Sequence, residues 1–175
     1  PYFNMYFDIK NGVFELKEKP IIFTNIATNG RITNGNLKNF KTTEIEFAKF
    51  STNLANGNIF GYLKVNNLNK LFLTADLNSS LKANDINNYF QNSPFLNVTG
   101  DIRAHSKFNG NISFDKKFSN YFLLSEHTSD LELENLNFNY LKSSTNYNIN
   151  LADITITNGD IIVDTSLLEI DKNIL

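Results

Sequence analysis

A chain of 175 residues at 20.0 kDa is the size of one domain or of a portion of a longer protein. With 16 basic and 18 acidic side chains the net charge is -2, so no positive excess exists to neutralise a phosphate backbone and no nucleic-acid partner is expected. Hydrophobic residues at 41%, including 16 Phe and 7 Tyr, supply enough apolar surface to exclude disorder, and the absence of Cys removes disulfides, thiolate zinc sites and cysteine nucleophiles.

No apolar run reaches the ~18 residues of a membrane span, and there is no basic start followed by an apolar stretch. The start at Pro1 and the apolar end at Ile174 and Leu175 read as those of a fragment cut from a larger protein. Six of the eight Gly follow Asn, at 11-12, 29-30, 34-35, 56-57, 109-110 and 158-159; Asn-Gly is the strongest local signal for a hairpin turn. Three turns lead into similar starts, Asn58-Ile59, Asn111-Ile112 and Asp160-Ile161, a weak internal repeat.

In chain order, strands are predicted over 2–9, 13–18, 21–28, 31–39, 43–54, 58–66, 69–81, 96–107, 108–115, 118–126, 129–136, 137–142, 146–152, 153–158 and 160–166. Leu71, Leu73, Ala75 and Leu77 fall on one side of their strand, against Phe72, Thr74 and Asp76. Val98, Gly100, Ile102 and Ala104 oppose Thr99, Asp101 and Arg103. The phase set by Leu131 and Leu133 flips at Asn135, where a turn or bulge is required before Leu136, Phe138 and Tyr140. One wet and one dry face mean an antiparallel sheet. A single short helix is predicted at about 84–92, capped by Asn84 or Asp85, striped by Ile86, Tyr89 and Phe90, and ended by Pro94. The three Pro are isolated and no Gly- or Ser-rich linker divides the chain, so residues 1–175 form one all-β antiparallel meander.

Signals for chemistry are sparse. His105 and His127 lie in separate strands without a carboxylate, Ser or second His at a triad or metal spacing. The loosely spaced Asp153, Asp160, Asp164 and Asp171 lack the calcium-loop pattern, and no glycine-rich phosphate loop opens a helix. No catalytic residue, metal or cofactor is therefore expected. The aromatics crowding the first half, from Tyr2 to Phe72, suit either an ordinary core or a ligand-facing apolar wall.

The stretch from Phe7 to about Asp164 resembles the periplasmic AsmA-like family, which includes the TamB-type proteins. The match is best from Asn56 to Phe114. There a Gly-rich turn enters a strand (Asn56-Gly57-Asn58-Ile59-Phe60-Gly61-Tyr62-Leu63-Lys64-Val65), Asn67-Leu68 and a strand ending in Leu77 follow, and a short helix carries Asp85, Ile86, Tyr89 and Phe90. Gly100-Asp101-Ile102 and Gly110 complete it. The resemblance implies a curved, partly open β-groove, in a periplasmic protein held in the inner membrane by an anchor absent from this chain. Its function would be non-enzymatic: the dry face would shelter phospholipid or fatty-acyl chains for transport or outer-membrane maintenance. The dry faces of 58–66, 69–81 and 96–107 would line the groove, through Ile59, Leu63, Val65, Leu71, Leu73, Leu77, Val98 and Ile102. Poor headgroup selectivity is expected, because no basic cluster converges and Lys116-Lys117 is the only adjacent pair. A competing reading is a closed β-sandwich for adhesion or carbohydrate binding. A third, a parallel β-helix hydrolase or lyase, would need paired carboxylates; Glu44, Glu46, Glu132 and Glu134 read better as wet strand faces.

Overall fold

A computed structural model describes residues 1–16, 21–89, 93–112, 126–142, 145–158 and 160–171, and among them are nine long strands and one short helix. The elements are β1 (Asn4–Leu16), β2 (Ile21–Thr33), β3 (Glu44–Leu54), β4 (Gly57–Asn66), β5 (Phe72–Lys82), α1 (Ala83–Asn88), β6 (Phe95–Asn111), β7 (Glu126–Tyr140), β8 (Thr145–Thr157) and β9 (Asp160–Asp171). Each strand pairs antiparallel with its sequence neighbours, giving one sheet in the order β1 to β9. The all-β class, the meander, the openness and the single short helix are as the sequence predicts, whereas the curvature implied by the resemblance is not seen: the sheet is uncurled.

Fifteen strands were expected and nine longer ones form among the described residues, because the breaks expected near 9–13, 28–31, 107–108, 136–137 and 152–153 fall inside continuous strands, and half of the Asn-Gly pairs do not turn the chain. Asn11-Gly12 sits within β1, Asn29-Gly30 within β2 and Asn109-Gly110 within β6, whereas Asn56-Gly57 belongs to the β3–β4 turn. The strand expected over 118–126 falls almost wholly outside the described residues. Among the described residues eight other than glycine have left-handed backbone, and six of these are Asn, a side chain that tolerates this conformation well. Asn11, Asn25 and Asn97 lie at shifts of register, so they make bulges that keep long strands in phase with their neighbours. The flip read at Asn135 is of the same kind: its φ is 50°, and it faces Gly100 across a register shift of β6.

Helix α1 is shorter than predicted, and its N-cap is Lys82, with no side-chain capping bond. Asn84 and Asp85 therefore do not cap it. Asp85 instead reaches the β3–β4 turn, accepting from the Asn56 backbone N–H at 3.2 Å and from its Nδ2 at 3.1 Å. This tie docks α1, too short to persist alone, at the end of the sheet against β5 and β6.

The accessible surface is 11722 Å². A compact monomer of this mass would expose about 8,700 Å². A single sheet lacks the second layer that usually covers its apolar side. No second sheet packs on it among the described residues, so the two-layer core of a closed sandwich is not formed by them.

Candidate functional site

Cross-strand partners share a face, so the register converts the alternation of each strand into rows running across the sheet. One row joins Met5, Ile32, Ile45, Val65, Leu73 and Gly110. A second joins Phe7, Gly30, Phe47, Leu63, Ala75, Phe108 and His127. Further rows carry Ile59, Ser79, Ala104, Leu131, Ile154 and Val163, then Leu81, Ile102, Leu133 and Ala152. None of these rows contains Asp, Glu, Lys or Arg.

Six of the eight expected lining residues, Ile59, Leu63, Val65, Leu73, Leu77 and Ile102, lie on this apolar face in regular register. Leu71 precedes β5, where its carbonyl accepts from the Ile112 N–H at 2.9 Å. Val98 falls inside the register shift between Leu96 and Thr99 and has no cross-strand partner in that ladder. Most of the larger side chains are half-buried, Met5 and Val163 near the two edges are exposed, and the small Ala75 and Ala152 are buried. Phe7 meets Phe47 edge to face with ring centroids 5.7 Å apart. Two hydroxyls on this side satisfy each other: Ser129 donates to Ser106 at 2.9 Å.

The opposite face carries the charge. Arg31 lies across from Glu46 and spans it and Glu44 at 3.3 and 3.1 Å, and Lys64 adds a 2.8 Å contact to Glu44. Arg103 repeats the arrangement with Glu132 and Glu134 at 3.1 and 2.7 Å, and those hydrogen bonds hold its pKa above the ordinary guanidinium value. Burial, followed by the nearby Glu46 carboxylate, raises the pKa of Tyr62. The close carboxylate pairs are thus each clamped by an arginine.

Sequence spacing missed one pairing. His105 Nε2 lies 2.7 Å from Asp76 Oδ1, with Lys107 3.9 Å from the other oxygen and Asp130 across on β7. Asp76 and His105 are 29 residues apart, and only the β5–β6 register brings them together. Among the described residues no hydroxyl bonds the His105 imidazole. An open depression of about 440 Å³ beside it is lined by Phe60, Asn78, Arg103, His105, Asp130 and Thr155. Asp130 and Asp164 both accept from Thr155 Oγ1, at 3.2 and 3.3 Å. Among the described residues no three His, Asp or Glu side chains are grouped to hold a metal. The other histidine, His127, lies on the apolar face opposite Phe108 and is 4% exposed. Lys116 and Lys117 lie outside the described residues.

No family model, curated protein or solved structure matches this chain. The described residues present two unlike faces, one of uncharged rows with no protein layer over it among them, the other a lattice of ion pairs.

Proposed function

We propose that the apolar face binds hydrocarbon, and that the chain is a non-enzymatic lipid-binding module which shelters acyl chains of phospholipids or fatty acids. The observation behind this reading is the set of uncharged rows crossing the sheet with no protein layer over them among the described residues. Each methylene removed from water is worth about 0.8 kcal/mol, so a two-chain lipid on such a surface gains on the order of 20 kcal/mol before ordering costs. No directional contact is needed for that gain. The charged face opposes a second apolar layer on its own side and keeps that side in water. The resemblance to AsmA-like proteins supports the same reading, with a place in the periplasm and an inner-membrane anchor outside this chain. Phospholipid transport between membranes is the role it would serve there.

Native mass spectrometry of the purified chain, followed by organic extraction and lipid analysis, tests the proposal. Co-purifying phospholipid or fatty acid is expected. Leu63→Asp and Leu73→Asp, on the apolar rows, should lower occupancy, whereas Asn78→Asp on the charged face should not. A folded, lipid-free chain that also fails to take up a fluorescent fatty acid would overturn it.

A further inference from the structure

At the end of the sheet where β2 passes to β3, residues 34–43 form a loop that is ordered by its own hydrogen bonds. Thr42 Oγ1 donates to the Asn34 carbonyl at 2.6 Å, and Thr43 Oγ1 to that of Asn39 at 2.9 Å. Asn39 Oδ1 accepts from the N–H groups of Lys41 and Thr42 at 3.0 and 3.2 Å. The Leu68 N–H, on the β4–β5 turn, donates to the Phe40 carbonyl at 2.8 Å. Left-handed backbone at Gly35 and Lys38 tightens the turn.

This ordered frame holds two large apolar side chains in solvent: Leu37 and Phe40 are each 67% exposed. Lys38 and Lys41 alternate with them, and Lys70 stands on the neighbouring turn. None of the three lysines forms an ion pair among the described residues. Residues 34–43 contain no acid, and Glu44 just beyond is already held by Arg31 and Lys64. A locally basic, apolar tip therefore projects from a chain whose net charge is -2.

We infer that this loop is a contact for an anionic phospholipid bilayer, seating Leu37 and Phe40 among the headgroups while Lys38, Lys41 and Lys70 meet the phosphates. Two projecting side chains are too little for a stable protein interface, which needs about 800 Å² from each partner. They suit shallow insertion, where a small apolar gain adds to the attraction of each lysine for a negative surface. The inference concerns the end of the sheet, goes beyond acyl-chain binding on its face, and stands if that binding fails.

Flotation of the full chain with intact vesicles tests it, using phosphatidylcholine alone and equal parts of phosphatidylcholine and phosphatidylglycerol. Binding is expected only to the anionic vesicles and should weaken as salt rises. Lys38→Glu with Lys41→Glu should lower it by roughly thirtyfold or more, and Phe40→Asp by about tenfold, with unchanged circular dichroism. Leu63→Asp, on the apolar face, should leave it unchanged. Equal binding to both vesicle types, no binding to either, or loop variants that float like the parent would each overturn the inference. So would a loss caused by Leu63→Asp as large as that caused by the loop variants.

Discussion

The ring of Phe7 lies over Gly30: a methyl group built on that glycine would come 2.4 Å from Phe7 Cζ and 2.1 Å from the carbonyl oxygen of Glu46. The glycine is what lets β1, β2 and β3 close under the Phe7–Phe47 contact. Gly30→Ala should destabilise the chain by about 1–3 kcal/mol, since backbone as well as side chain must move. Urea unfolding checks it; a loss within ~0.5 kcal/mol, the range of ordinary surface changes, would show that the three strands are not packed this closely.

Asp85 is buried and bonded to Asn56, whereas Asn84 is exposed. Asp85→Ala should cost about 1–3 kcal/mol by stranding the turn's donors, and Asn84→Ala close to nothing. The opposite order in thermal or chemical melts would restore Asn84 as the helix cap.

Asn135 holds φ at 50° in the middle of β7. Replacement by Val should destabilise by about 1–3 kcal/mol, because a β-branched side chain resists the left-handed region, while Gly should be tolerated. Equal stability of the two variants would mean that the bulge relaxes.

Tyr62 carries a raised pKa from burial and the Glu46 carboxylate. Its folded value lies above the unfolded one, so its share of stability is complete below the unfolded pKa and is lost as pH rises through the folded pKa. Spectrophotometric titration should find one tyrosine ionising above the usual value near 10 that disappears in Tyr62→Phe, and that variant should lose less stability in alkali. Identical alkaline melts would remove Glu46 and burial as influences on the phenol.

The faces were legible in the sequence because period-two alternation is a direct property of a pleated strand: Leu73, Ala75 and Leu77 sit opposite the partners their parity demands. Asn135 was legible for the same reason, as a break in parity. Strand number was not, since Asn-Gly marks hairpin turns yet also sits inside strands: Asn11 takes left-handed backbone at a bulge of β1, whereas Asn29-Gly30 runs on within β2 without it, and nothing local to residues 11–12 or 29–30 announces either outcome. The contact of His105 with Asp76 and the two arginine clamps depend on register across strands, which spacing along one strand does not encode. Nor did composition expose the 34–43 loop, where an apparently ordinary mixture of Asn, Lys, Leu and Phe acquires meaning from the hydrogen bonds that hold its tip outward.

Since the main contacts of every strand are with its immediate neighbours in sequence, the molecule behaves as a one-dimensional polymer of hairpins. Stability should then accumulate segment by segment, with hydrogen exchange fastest in β1 and β9 and slowest in the middle strands. Growth or excision by a whole hairpin preserves both strand direction and the side on which the grease lies, so such a scaffold can change its reach without redesigning its surface.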